Sequence, residues 1–208
     1  MERYTADRII AINVDVQNDF LPGGALAVSR GEEVIEPLNE INQYVRAQGG
    51  TVVFTGDQHP AQTPHFETWP VHCVTGTEGA ALSEALTVLP EDTIIRKGTG
   101  QTDGYSAFEG TTADGKSLES LIAPHDKERV VIIMGGLATD YCVLNSALDA
   151  LRIDQHDGSL QLLVVRDAVR GVNLQPNDSD EALRTMENAG ALIVESNEII
   201  KKDGVISL

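Results

Sequence analysis

An unbroken apolar run, Val130 to Ile133, meets a pair of glycines and then a helical spacing of apolar positions at Cys142, Leu144, Leu148 and Leu151. An apolar run without polar alternation suits a strand buried on both faces, which is the habit of parallel sheets. The segment Met134-Gly135-Gly136-Leu137-Ala138-Thr139-Asp140-Tyr141-Cys142 then reads as a tight strand-to-helix turn. Thr139 and Asp140 are N-cap candidates, which puts Cys142 in the first helical turn. A thiol there feels the helix dipole and unpaired backbone N–H groups, both of which favour thiolate. The same N–H groups suit an oxyanion. A lone cysteine is more often a buried structural thiol, so its surroundings must decide.

The same alternation runs along the chain. Strands are predicted at 8–15, 51–55, 93–96, 130–133, 161–165 and 191–194. Helices are predicted at 32–48, 80–86, 117–122, 142–151 and 178–189. With no repeat, low-complexity tract or linker, this predicts one doubly wound α/β domain spanning 1–208, Rossmann-like, its six-stranded sheet mostly parallel and flanked by helices. A chain of 208 residues can bury one sizeable core.

A net charge of −17 argues against nucleic acid and anionic membrane surfaces as partners. Cys73 and Cys142 are the two cysteines, and no stretch reads as a secretory or membrane-spanning segment, so a reduced, cytoplasmic compartment is expected. Homo-oligomerisation is left open.

The chemistry-bearing residues fall in one place. Asp15 ends the first predicted strand, Asp57 follows the second, Lys97 ends the third and Cys142 follows the fourth. Doubly wound sheets bind ligands beyond the carboxyl ends of their strands, so the four converge on one rim. There Lys97 can stabilise the Cys142 thiolate, while Asp15 takes a proton from the thiol and returns it to a leaving amine. Taken singly, Lys97 reads as a solvated surface lysine and Asp15 as a cap.

The stretch 57–79 is too long for a simple connection. It carries Asp57-Gln58-His59, then His65, then Trp69-Pro70-Val71-His72-Cys73. An aspartate with two or three histidines suits zinc, iron or manganese, with positions left for water or substrate. The alternative is a loop of unrelated surface histidines. Cys73 is read as a small buried thiol, with ligation as its alternative; His125 and His156 receive no role. Gly98-Thr99-Gly100-Gln101-Thr102-Asp103-Gly104 has the wrong spacing for a dinucleotide fingerprint, and no helix opens at it. Its glycines are instead expected to fold Lys97's loop over the rim.

On these segments the chain resembles the nicotinamidases of the isochorismatase-like cysteine hydrolase family. The likeness is carried by Val14-Asp15-Val16-Gln17-Asn18-Asp19-Phe20, Pro22-Gly23-Gly24-Ala25-Leu26, Asp57-Gln58-His59-Pro60 and Trp69-Pro70-Val71-His72-Cys73-Val74-Thr75-Gly76-Thr77. It continues through Lys97-Gly98, Tyr105-Ser106-Ala107-Phe108 and Gly135 to Cys142. The resemblance implies Asp15, Lys97 and Cys142 as a catalytic triad. It implies Asp57, His59 and His72 as ligands of one divalent ion, with His65 at a variable fourth position; zinc is the expected ion, iron or manganese the alternatives. It further implies a cis peptide between Leu137 and Ala138, with the N–H groups of Ala138 and Cys142 as oxyanion hole. Phe20, Leu26, Trp69 and Tyr105 would wall a flat aromatic pocket, with Tyr141 beside the nucleophile at a position where the family varies. The implied activity is hydrolysis of nicotinamide to nicotinate and ammonia through a thioester, in NAD salvage. Two alternatives stand beside it: a relative acting on another small carboxamide, carbamoyl or ureido compound without need of the metal loop, and a catalytically silent interaction domain.

Overall fold

The apolar runs build a sheet, and the computed structural model describes it across residues 6–125, 128–153 and 158–200. Its strands are β1 (Arg8–Val14), β2 (Thr51–Asp57), β3 (Thr93–Lys97), β4 (Val130–Leu137), β5 (Leu160–Arg170) and β6 (Leu192–Val194). All neighbours pair in parallel, in the order β3-β2-β1-β4-β5-β6. The order reverses between β1 and β4, which opens a crevice beyond their carboxyl ends.

Successive strand residues face opposite sides, so the sheet feeds two cores. On one face Ile10, Ile12, Val14, Ile132 and Met134 pack against α2 (Leu118–Ile122), α3 (Leu144–Ile153) and α4 (Asp178–Asn188). On the other, Ala11, Val131 and Ile133 pack against α1 (Ile35–Ala47) and α5 (Ser196–Ile200). All eight residues of β4 are buried, which is why its run carries no polar alternation. Among the described residues no helix is long and apolar enough to cross a membrane.

The sheet is as the sequence predicts, and the departures from prediction have local causes. Residues 80–86 form no helix. Their backbone is spent instead on the loop after β1: Leu82 bridges Gln17, Asn18 N–H donates to Ala81 O, Ser83 N–H donates to Val16 O and Gln17 Nε2 donates to Ala80 O. The predicted 32–48 helix begins as a 3₁₀ turn, Gly31–Val34, before α1. β4 runs on through Gly135 and Gly136, and β5 extends to Arg170 across from it, with a bulge between Met134 and Gly136.

Gly136 is what lets β4 lie against β1 there. Its φ is +122°, and a Cβ would stand 2.0 Å from Val14 O. Gly136→Ala should therefore destabilise the protein by about 3 kcal/mol or more, the strain of the conformation adding to the clash. Urea unfolding at neutral pH checks this; an unchanged midpoint would mean that the two strands can part there at no cost.

Candidate active site

Parallel pairing sets Asp57 beside Lys97 at the ends of β2 and β3. Asp15 follows β1 with φ 48°, a left-handed conformation uncommon outside glycine. Cys142 lies beyond β4. The four meet as the rim argument requires. The fully buried Lys97 ammonium stands 2.8 Å from Asp15 Oδ2, 2.6 Å from Asp57 Oδ1 and 3.4 Å from Cys142 Sγ, and donates to Gly104 O at 3.0 Å. A carboxylate oxygen from each aspartate and the sulfur all lie within 4.8 Å of one another. Thr55 Oγ1, one strand over, donates to Asp15 Oδ1 at 2.6 Å and fixes that carboxylate.

Charge in this dry cluster is shared unequally. Burial pulls the Lys97 ammonium down, but Asp15 and Asp57 outweigh it and hold its pKa well above the ordinary lysine value. Burial pushes Asp57 up, yet Lys97 and His59 keep it below the usual carboxylate range. Asp15 is raised, by burial first, against the opposing pull of Lys97. A group able both to take and to give a proton fits that position.

Two expectations for Cys142 are corrected. It does not sit in the first turn of an α-helix: Thr139–Val143 is a single π turn preceding α3, with Ala138 O accepting from both Tyr141 and Val143 N–H. Neither Thr139 nor Asp140 caps it. Asp140 instead accepts from Val172 and Asn173 N–H, tying this turn to the segment after β5. Nor does the resting thiol favour thiolate, because burial raises its pKa well above the usual thiol, with Lys97 opposing and the two aspartates adding to the rise. The proton leaves only with a base at hand. The Leu137–Ala138 peptide is cis, and the Ala138 N–H donates to no backbone or side-chain acceptor among the described residues.

The histidine loop folds by pairing with itself. His59 N–H donates to Cys73 O and Thr75 N–H to His59 O, a short parallel bridge that brings His72 beside His59. His65 rides on a 3₁₀ turn, Pro64–Glu67, capped by Thr63. One ligating nitrogen from each of His59, His65 and His72 lies within 4.8 Å of the others, and all three rings are buried. Each ring has its Nδ1 engaged: His59 with Gly98 O at 3.1 Å, His72 with Pro70 O at 2.7 Å, His65 with Asp103 Oδ1 at 2.7 Å. An Nδ1–H bonded to an oxygen leaves Nε2 as the lone pair, the arrangement of metal-binding imidazoles. His59 Nε2 is buried without a hydrogen-bond partner, and Asp57 Oδ2 stands 3.7 Å away, too far for a hydrogen bond but suited to two ligands of one ion. Burial also holds His72 below its ordinary pKa and so neutral. These residues fit a divalent first-row ion. Asp57, with one oxygen toward Lys97 and the other toward His59, joins this cluster to the thiol.

Cys73 stays outside. It is fully buried with its Sγ toward Gly79 O at 3.9 Å, and burial drives its pKa far up, in keeping with the buried-thiol reading. The His125 N–H donates to Glu128, and no site residue touches it; His156 lies outside the described residues. No helix opens at 98–104.

Phe20, Leu26, Trp69, Tyr105 and Tyr141 all line one pocket, which reaches Asp57, His65, His72, Ala138 and Cys142. Trp69 Nε1 donates to Tyr105 OH at 2.9 Å, and Tyr141 meets Trp69 edge-on at 4.9 Å. Sequence reasoning missed Val172, which also lines the pocket, and Thr55. Both follow the rim rule that found the others: Val172 lies just past β5, and Thr55 near the end of β2.

Known proteins resemble the chain over most of its length. The family model for the isochorismatase domain matches residues 10–198. The nicotinamidase of Escherichia coli (strain K12) is 34% identical over 201 residues, covering 86% of this chain and 91% of the relative. The pyrazinamidase of Pyrococcus horikoshii, solved in complex with zinc, superposes with a TM-score of 0.76 at 35% identity, over 90% of this chain and 99% of that one. A protein of L. infantum solved in complex with nicotinate gives a TM-score of 0.76 at 29% identity, over 94% of this chain and 96% of that one.

Proposed function

The chain belongs to the isochorismatase family, and on that premise we propose that it is a nicotinamidase, a cysteine amidohydrolase converting nicotinamide to nicotinate and ammonia. The observation that carries this reading is the sharing of Asp57 between two clusters, the Asp15–Lys97–Cys142 group and the three histidines, at the bottom of one aromatic pocket. A triad alone would serve many amides. The histidines give a heteroaromatic ring something to face while its carboxamide lies at the sulfur.

In this reading the ring lies between Phe20, Leu26 and the Trp69, Tyr105 and Tyr141 wall. As the Cys142 sulfur attacks the carboxamide carbon, the thiol proton passes to Asp15, and Lys97 stabilises the sulfur's developing charge. The Ala138 and Cys142 N–H groups hold the oxyanion. Asp15 returns its proton to the nitrogen, ammonia leaves, and a thioester remains. Asp15 then takes a proton from water, whose oxygen adds to the carbonyl carbon; the C–S bond breaks, Asp15 passes its proton to the departing sulfur, and the acid leaves as nicotinate with its proton lost to solvent. Asp57, His59 and His72, with His65, would hold zinc, or iron or manganese, which supplies a Lewis-acidic anchor for the ring nitrogen or a water beside it. We place the protein in the cytoplasm as one domain, salvaging pyridine nucleotides.

Ammonia release from nicotinamide and benzamide, with and without metal, tests the reading. His59→Ala and His72→Ala should lose the ion and at least ~100-fold in nicotinamide hydrolysis, since each removes a ligand outright. His65→Ala should cost less, because water can replace a fourth ligand. Benzamide, lacking the ring nitrogen, should be a poor substrate and lose comparatively little in the same variants. Equal rates on the two amides, or full activity after exhaustive chelation, would overturn the nicotinamide assignment in favour of another small amide.

A further inference from the structure

Two of the three histidines are held by main-chain carbonyls and the third by a side chain. We propose that Asp103 is a positioning residue of the metal centre, its carboxylate fixing His65 so that this ring presents Nε2 to the ion. This rests on the reading that the histidines hold a metal, and it deepens that reading at its variable ligand.

The argument starts with how Asp103 is presented. The loop after β3 closes on itself: a Cβ on Gly104 would meet Gly98 Cα at 2.6 Å, so those backbones touch. From that neck the loop reaches both clusters and the pocket wall. Gly98 O engages His59 Nδ1, Gly104 O accepts from Lys97 Nζ, and Tyr105 OH accepts from Trp69 Nε1. Asp103 is thus anchored on either side by contacts that do not involve His65. Its own side chain is 55% exposed, while that of His65 is 3% exposed. A half-solvated carboxylate reaching 2.7 Å onto a buried imidazole fixes the tautomer and makes the other nitrogen a better donor. Without it His65 Nδ1 would have no protein acceptor among the described residues, and either nitrogen could carry the proton.

Zinc affinity of the full-length, metal-stripped protein, read by competition with a chromogenic chelator, tests this. Asp103→Ala should bind zinc ~10-fold more weakly than the parent, and no more weakly than His65→Ala does. Asp103→Asn, whose amide oxygen still accepts from Nδ1–H, should lose a smaller part. In a His65→Ala background neither substitution should cost anything further. Asp103→Ala binding zinc as the parent does, or losing as much without His65 as with it, would overturn the proposal. The alkylation rate of Cys142 in the same samples shows whether the loop still closes on Lys97. Where it does not in Asp103→Ala, the Asn pair decides: a loss that vanishes without His65 supports the role, and no loss or a persisting one overturns it. A parent that binds no zinc would sink the metal reading itself, and this inference with it.

Discussion

Cys142→Ala is expected to lower kcat on nicotinamide by ~10⁴-fold or more, because substitution removes the sulfur that forms the thioester in the proposed mechanism and leaves transition-state donors without a nucleophile to serve. The fold should hold. Cys142 shares its core with Val143 and Ala147, small neighbours that accommodate the loss of one sulfur, and zinc binding should stay as in the parent since the thiol is not among the three-histidine ligands. Ammonia assays, zinc titration and mass spectrometry of the enzyme quenched during turnover check all three. The parent should carry a nicotinoyl adduct and the variant none. Substantial turnover by the variant, or its failure to fold, would remove Cys142 from the role of nucleophile.

Lys97→Met is expected to destabilise the metal-stripped protein by about 3–5 kcal/mol at neutral pH, since it leaves two buried carboxyl groups facing one another with their cation gone. The pH dependence has a definite sign. In the parent, Asp57 is held below its ordinary 3.8, so its contribution is present above that value and is lost as pH falls through the folded-state value. Lys97 is held above its ordinary 10.5, so its contribution is complete below 10.5 and is lost only as pH rises through the folded-state value. Asp15 runs the other way, its raised pKa meaning that the folded state gains as it protonates. The gap between parent and variant should therefore be widest across neutral pH and narrow toward both extremes. Urea unfolding at several pH values measures it. Alkylation of Cys142 should also slow at neutral pH, the sulfur having lost its one opposing cation. An unchanged neutral-pH stability would mean that the aspartates find other partners when Lys97 is removed.

What could be read from the chain divides along a physical line. Asp15, Asp57, Lys97 and Cys142 are legible because each ends or follows an apolar strand run, and parallel strands bring their carboxyl ends to one edge wherever they lie in sequence. The histidine loop was legible because three imidazoles in one irregular stretch are hard to explain otherwise. The π turn was not. Its apolar spacing matches an α-helix, and that pattern does not separate the two. The stretch 80–86 has helical composition, yet hydrogen bonds to residues 16–18 override a propensity that is a weak prior over so short a window. Thr55 and Asp103 act through other side chains, and such partners leave no spacing of their own to find.

The strand order has a consequence for how the chain comes to exist. Synthesis delivers β1, β2 and β3 first, and with them both aspartates, the three histidines and Lys97. That half holds the proposed metal ligands, and it emerges from the ribosome without Cys142. Until β4 is made, one side of β1 is an open edge with unpaired N–H and C=O groups, the kind of edge that recruits other chains. β4 closes that edge along the whole of β1, from Arg8 opposite Val130 to Val14 opposite Gly136. The pairing that covers this edge of β1 is also the one that carries the Cys142 sulfur to within 3.4 Å of Lys97.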